Sequence, residues 1–312
     1  MKRRNFIKAG VLSATGIAAS CSTSNAGNVK AKKAFRAVHI TDMHIYPNDV
    51  VEKGIKNLIA EIDQLEEKPD FIINTGDNIM DALKRSKEEV AAQWEVWHKY
   101  FRSQIKYELY NCIGNHDVWG WGLNDPKVKD DELYGKVWAK KNLELGNNYY
   151  SMNKNGWKLV FLDSPYFAEN KHAYTAKLDD RQFAWLEKEL AGTPKEIKVC
   201  IVSHIPILSP AVFFDGDNEK TGNWEVPGSW MHIDARKIKD LFHKNPNVKT
   251  AISGHVHLVD HANYLNVDYY CNGAACGGWW KGDYQEFSPL YTIIDFYEDG
   301  TVNTQLINYN WK

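Results

Sequence analysis

Apolar, β-branched-rich runs recur along this chain, and several lead directly into a short cluster of His, Asp or Asn. The first, Phe35–Ile40, predicts a strand that delivers Asp42-Met43-His44. Apolar positions at Val51, Ile55, Leu58, Ile59, Ile62 and Leu65 have helical spacing over 51–66, and Pro69-Asp70 breaks that helix. Phe71–Asn74 predicts the next strand, followed by Gly76-Asp77-Asn78. A second helix is predicted over 82–102, with Val90, Trp94, Trp97 and Phe101 as its core face. Residues 107–113 predict a strand leading into Gly114-Asn115-His116-Asp117. Strands over 149–152 and 157–162 flank Asn155-Gly156, a tight hairpin signal. A helix over 180–190 stops before Gly192-Thr193-Pro194. Lys198–Val202 leads to His204, and Val248–Ile252 leads to Gly254-His255-Val256-His257. Strands over 290–297 and 302–308 close a last hairpin around Asp299-Gly300. Mixed strands and helices with two hairpins predict an α/β fold of two sheets packed together and flanked by helices.

The polar clusters therefore sit at strand ends, where side chains from several strands converge on one crevice. Seven of these side chains are metal-ligand types: the carboxylates of Asp42 and Asp77, the imidazoles of His44, His204, His255 and His257, and the carboxamide of Asn115. Seven donors are too many for one four-coordinate ion and suit two adjacent ions that share a carboxylate. The mixed nitrogen and oxygen set suits Mn, Fe or Zn better than Ca. Burying the same groups without metal would be costly.

In this order, D-x-H, G-D, G-N-H-D, H and G-H-x-H resemble the motifs of the calcineurin-like metallophosphoesterases, over roughly residues 35 to 300. The resemblance implies a four-layer α-β-β-α sandwich with metals at its rim. Carried over residue by residue, it implies that Asp42, His44 and His257 hold one divalent or trivalent ion. Asn115, His204 and His255 would hold the other, with Asp77 bridging. A metal-bridging hydroxide would be the nucleophile and His116 the general acid, a contribution of about 10²–10⁴-fold. Serine/threonine protein phosphatases of this family carry Gly-Asp-x-x-Asp-Arg; Gly76-Asp77-Asn78-Ile79-Met80-Asp81 lacks that carboxylate spacing and the Arg. Asp81, one residue late, is the candidate to orient His116. Met80 stands where purple acid phosphatases place a Tyr ligand. The implied function is an exported phosphoester hydrolase, acting on a phosphodiester or a phosphomonoester of a small molecule. From another class, a lipid-anchored protein could keep the metal-site fold and bind phosphorylated ligands or glycans without turnover; the intact His116 argues for the enzyme.

Two loop segments stand outside this frame. Residues 118–134 carry Trp119 and Trp121, and residues 207–231 carry Phe213, Phe214, Trp224 and Trp230; both follow a metal motif directly. Trp279-Trp280 follows Gly277-Gly278. Such aromatics either anchor loops to the sandwich or line a pocket for a flat or apolar group. On the pocket reading, Trp119, Trp279 and Trp280 are candidate substrate contacts.

Composition is that of a globular chain: 312 residues, 44% apolar, 25% charged, net charge -2. Residues 1–20 carry Lys2, Arg3, Arg4 and Lys8 and no acid, so without them the charge is -2 minus 4, or -6. That balance argues against a nucleic-acid surface. Lys2-Arg3-Arg4-Asn5-Phe6-Ile7-Lys8 resembles a twin-arginine export signal, and 9–19 is an apolar stretch too short to span a bilayer. Ala18-Ala19-Ser20-Cys21 resembles a lipoprotein cleavage box, with lipidation expected at Cys21. Residues 1–33 are then signal and tether, 34–312 the phosphoesterase domain. The protein is expected to be periplasmic or a membrane-anchored lipoprotein. Cys112 and Cys200 fall inside strand runs as small hydrophobes, while Cys271 and Cys276 either pair or stay free.

Overall fold

The structure is a computed structural model that describes residues 31–311. The export signal and Cys21 lie outside the described residues. In chain order the strands are β1 (Lys33–Ile40), β2 (Phe71–Asn74), β3 (Leu109–Asn111), β4 (Tyr150–Lys154), β5 (Trp157–Phe161), β6 (Pro165–Phe167), β7 (Tyr174–Ala176), β8 (Lys198–Val202), β9 (Val248–Ser253), β10 (Val259–Tyr264), β11 (Val267–Asn272), β12 (Leu290–Tyr297) and β13 (Val302–Asn308). The helices are α1 (Asp49–Gln64), α2 (Lys87–Trp97), α3 (Pro126–Lys129), α4 (Val137–Asn142), α5 (Asp180–Ala191) and α6 (Ala235–Lys244).

Two mixed sheets carry the fold, one in the order β13-β12-β1-β2-β3 and one in the order β10-β11-β9-β8-β5-β4. In the first, β1, β2 and β3 run parallel and the final hairpin adds antiparallel to β1. In the second, β5, β8, β9 and β11 run parallel, edged by antiparallel β4 and β10. Successive side chains on a strand face opposite ways, and three buried clusters follow from that alternation. Phe35, Ala37, Phe71 and Ile73 meet Leu159, Phe161, Cys200 and Val202 between the sheets. Val38, Ile40 and Ile72 face α1 and α2 on one outside. Val160, Leu162, Val199 and Ile201 face α5 and α6 on the other. The result is the four-layer α-β-β-α sandwich.

Local chemistry sets most boundaries. Asn48 caps α1 by accepting from the Val50 amide at 2.9 Å. The second helix starts later than its apolar stripe suggested: Ser86 and Glu89 form a capping box, and 82–85 is a turn tied to the site by the Ala82 amide donating to the His116 carbonyl at 2.8 Å. Beyond Trp97 it continues as a π-helical turn, His98–Arg102. The strands β6, β7, β10 and β11 and the helices α3, α4 and α6 have no counterpart in the sequence expectations. Helix α6 buries Ile238, Leu241 and Phe242 at helical spacing, and β10–β11 turn through Leu265-Asn266, both at positive φ (53° and 63°). A Leu-Asn pair lacks the Gly that advertises such a turn. No helix among the described residues is long and apolar enough to cross a membrane.

Candidate metal centre

Parallel strands β1, β2, β3, β8 and β9 end on the same rim, and the turns after them bring Asp42, His44, Asp77, Asn115, His116, His204, His255 and His257 together. These turns are locked to one another. The amides of Asp42 and His44 donate to the carbonyls of Gly76 and Asp77 at 3.0 and 2.9 Å, and Gly254 donates to the His204 carbonyl at 3.1 Å. Five of the residues hold left-handed backbone: Asp42 (φ 52°), His44 (44°), Asp77 (52°), His255 (75°) and His257 (61°). Each costs on the order of 1 kcal/mol for a non-glycine, and Asp and His are among the side chains that tolerate it best. Two glycines permit the close approach. A Cβ at Gly114 would overlap Asp77's amide and Oδ1, and one at Gly254 would overlap Thr41 Oγ1 and Asp42 Oδ2.

Both carboxylates present one oxygen to the protein and one to the centre. Asp42 Oδ2 accepts from the Thr41 hydroxyl at 2.5 Å and the His255 amide at 2.8 Å, while Oδ1 is buried with no hydrogen-bond partner. Asp77 Oδ1 accepts from the His116 amide at 2.8 Å, and Oδ2 lies 3.7 Å from His44 Nε2 and 3.3 Å from His204 Nε2. The donors thus fall into two groups that share Asp77. Asp42 Oδ1, His44 Nε2 and His257 Nε2 form one, at separations of 3.8, 3.5 and 3.2 Å. His204 Nε2, Asn115 Oδ1 and His255 Nδ1 form the other, with His204 Nε2 3.0 and 3.1 Å from its two partners. The far nitrogens of two rings donate closely to carbonyls, His257 Nδ1 to Gly277 at 2.7 Å and His255 Nε2 to Ser229 at 2.8 Å, and His44 Nδ1 faces the Met80 carbonyl at a longer 3.4 Å. A carbonyl can only accept, so His257 Nε2 and His255 Nδ1 are the nitrogens left to take a proton or a metal.

Electrostatics divides each imidazole pair. Burial pushes His44 and His255 down to about 3. Burial also opposes charge on His204, but Asp77 and Asp42 outweigh it and raise its pKa to about 9. His257 is likewise raised against burial, by Cys276 and Asp42. One ring of each pair thus donates a proton to the other. Beside them, His116 Nδ1 stands 3.5 Å from Asp81 Oδ1, an ion-pair distance rather than a made hydrogen bond. Burial disfavours the His116 imidazolium, and the Asp77 and Asp81 carboxylates outweigh it, so its pKa is raised. Asp81 is held in turn by Gln93 and by the guanidinium of Arg85 at 3.4 Å.

The sequence profile of the calcineurin-like phosphoesterases matches residues 35–259. The chain belongs to this family. It is 26% identical over 235 residues, 71% of each chain, to a protein named probable glycerophosphodiester phosphodiesterase from Arcobacter nitrofigilis. It is 20% identical over 287 residues, 88% of this chain and 90% of the other, to a 3′,5′-cyclic adenosine monophosphate phosphodiesterase from Vibrio vulnificus. Among solved structures, a dimetal phosphatase from Danio rerio shares the fold, with a TM-score of 0.59 at 11% identity, covering 89% of this chain and all (100%) of that one.

As a calcineurin-like phosphoesterase the protein is a metal-dependent phosphoester hydrolase, and the donor set fits divalent metal. The partnerless Asp42 Oδ1, the two rings oriented by carbonyls and the oxygen of Asn115 are the ligands such ions take. Cys276 also approaches His257, at 3.9 Å, but from the Nδ1 side, behind the centre. It and Cys271 are free buried thiols rather than a disulfide.

Two substrate-contact expectations are corrected. Trp119 is 3% exposed, its indole N–H donating to the Arg85 carbonyl at 3.1 Å and its ring packed edge-on against Trp138. Trp280 is 5% exposed, lies over Gly54 of α1 and donates to the carbonyls of Met43 and His44. Neither has a face left for a ligand; Trp280 instead steadies the turn carrying His44. Trp279 does border the centre, half-buried with its ring 4.6 Å from that of His257 and 5.2 Å from Tyr284. Two residues given no role by their motifs prove structural to the site. Asp117 accepts from the amides of Gly114 (2.9 Å) and Asn78 (2.8 Å) and from Asn78 Nδ2 (3.0 Å), clamping two ligand turns together. Tyr174 lays its ring edge-on 6.3 Å from His255. Asp117 sits inside the Gly-Asn-His-Asp run and was findable; Tyr174 had no signal in its neighbourhood.

Proposed function

We infer that the protein is an exported, dinuclear-metal phosphodiesterase acting on a small-molecule phosphoester. The observation that carries this is the pair of donor groups sharing Asp77 Oδ2, with His116 and Asp81 beside them. When bound, two ions drawn from Mn, Fe and Zn supply a water nucleophile at neutral pH and neutralise the phosphoryl oxygens. Asp42, His44 and His257 would hold one, Asn115, His204 and His255 the other. The remaining tasks fall to the chain. His116, its Nδ1 turned to Asp81, has Nε2 left to protonate the departing oxygen, and the Asp77 and Asp81 carboxylates that raise its pKa favour the protonated form. Arg85 and Gln93 hold Asp81 in position. The Trp279 face beside His257 is a wall against which a second ester substituent can lie. Both curated relatives are named as phosphodiesterases, which favours a diester over a monoester. The Arg3-Arg4 signal and the Ala18–Cys21 box support export and lipid anchoring, with 22–33 as tether.

The test is metal analysis of the purified protein beside hydrolysis of bis-p-nitrophenyl phosphate and p-nitrophenyl phosphate with Mn added. Two ions per chain and faster diester cleavage are expected. Two ions with no cleavage of either ester would overturn the hydrolase and favour a binding protein on the same fold.

A further inference from the structure

A second feature lies on the His116 flank of the centre. A cavity of about 430 Å³ is lined by Lys84, Lys129 and Lys171, by the rings of Trp121 and Phe167, and by Glu169. Three ammoniums against one carboxylate give it a positive balance in a chain whose net charge is negative. None of the three lysines is in an ion pair among the described residues. The two rings meet edge-on with centroids 5.7 Å apart, and Lys136 Nζ lies 5.3 Å from the Trp121 ring centroid. The corner they form is preset for a flat group.

Two segments of the cavity's lining neighbour residues of the centre. Lys84 lies two residues after Ala82, whose amide is bonded to the His116 carbonyl. At 3.8 Å per residue that puts the Lys84 Cα at most about 7.6 Å from the Ala82 Cα. From the other side, Lys171 and Ala173 flank His172, whose Nε2 is buried with no hydrogen-bond partner. The His172 ring stands 6.3 Å from Tyr174, and Tyr174 stands 6.3 Å from His255. A chain of rings thus runs from His172, between two lining positions of the cavity, to a metal-ligand candidate, and it includes a buried nitrogen that no protein group satisfies.

We propose that this cavity receives the substrate substituent departing on the His116 side, and that this substituent carries both a flat ring and an anionic group, as a nucleotide does. The proposal rests on the phosphodiesterase reading above. The ring lies in the Trp121–Phe167 corner, the anion is met by Lys84 and Lys171, and His172 Nε2 bonds a polar edge between them.

Binding is measured first, by calorimetric titration of adenosine 5′-monophosphate, adenosine and ribose 5-phosphate into the protein held in chelator, so that metal plays no part. The monophosphate is expected to bind at least about fivefold more tightly than either fragment. The Lys84→Ala/Lys171→Ala double variant, altered only at exposed positions, should weaken the monophosphate about fivefold and adenosine much less. Phe167→Ala should weaken adenosine and the monophosphate alike. Equal affinity for the monophosphate and adenosine, or an unchanged monophosphate affinity in the double variant, overturns the proposal. The second measurement uses the Mn-loaded protein on diadenosine 5′,5′-diphosphate, which water splits into two molecules of adenosine 5′-monophosphate, and on bis-p-nitrophenyl phosphate. The ratio of their kcat/KM values should fall about fivefold in the double variant. A wild-type protein that cleaves the nitrophenyl diester but neither binds the monophosphate nor cleaves the dinucleotide leaves the hydrolase standing and removes the pocket. Monophosphate binding without cleavage of either the nitrophenyl diester or the dinucleotide anhydride keeps the pocket and removes the hydrolase.

Discussion

Asp117→Asn is the sharpest test of how the ligand turns are held. The wild-type carboxylate is fully buried. Its Oδ1 takes the Asn78 amide at 2.8 Å and, more weakly, the Ile79 amide at 3.3 Å; its Oδ2 takes the Gly114 amide at 2.9 Å and Asn78 Nδ2 at 3.0 Å. Asparagine keeps the volume and one acceptor but sets an NH₂ against two donors that then have no acceptor. Leaving a buried donor unmet costs about 1–3 kcal/mol, so two cost about 2–6 kcal/mol. An opposing gain exists, because burial and the nearby Asp77 charge raise the Asp117 pKa, so the native carboxylate is itself disfavoured. The Asp117 pKa is pushed up to about 6, about two units above the ordinary value, and at about 1.4 kcal/mol per unit that returns about 3 kcal/mol. The net expectation is a loss of about 1 kcal/mol. Urea unfolding of the chelated variant measures it, and calorimetry should show a Tm lower by about 2–4 °C. Metal content should fall as well, since Asp77 and Asn115 sit on the two turns that Asp117 joins. A variant at least as stable as wild type, with full metal content, would refute the claim that this carboxylate organises the site.

Other consequences are as direct. Asp77→Asn should lower metal occupancy in both donor groups, and elemental analysis returning two full ions would refute the shared carboxylate. His116→Ala should retain metal yet lose about 10²–10⁴-fold on esters with poor leaving groups; an equal loss on nitrophenyl esters would remove its acid role. Metal loading near pH 7 should release about two protons, because Asp77 and Asp42 hold His204 protonated up to about 9 and His257 is raised in the same way. Calorimetry in buffers of different ionisation enthalpy measures that release. The sign is fixed: metal affinity rises with pH toward 9, whereas the stability that His204 lends the metal-free protein is full below about 6.5 and lost as pH passes 9. A metal affinity independent of pH between 6 and 8 would contradict it.

Much of this was legible in one dimension. The continuous apolar, β-branched-rich runs specified β1, β2, β8 and β9, because a strand buried on both faces has to be apolar throughout, and Asp299-Gly300 marked the last hairpin. The spacing of Val51, Ile55, Leu58 and Ile62 specified α1 in the same way. Each ligand candidate was readable because a carboxylate, imidazole or carboxamide side chain directly after such a run has no place in a core and a clear use at a rim. Residues of opposite role were harder to separate when they shared a type. Trp119, Trp279 and Trp280 are one kind of side chain beside one kind of motif, yet only Trp279 borders the centre. The difference is whether the indole N–H finds a carbonyl such as Arg85's or Met43's, and those partners are 34 and 237 residues away in the chain.

The chain by itself determined the layered fold, the donor types and their order, since these depend on local periodicity and on the chemistry of single side chains. Tertiary structure decided which oxygen of Asp42 and Asp77 faces the centre, which imidazole nitrogen bears the proton, and which aromatics are walls rather than core. It also formed a lysine-rimmed cavity by bringing 84, 121–129 and 167–173 together. Those outcomes rest on contacts between segments far apart in sequence, and on a left-handed backbone held only by neighbouring turns, neither of which a local pattern records.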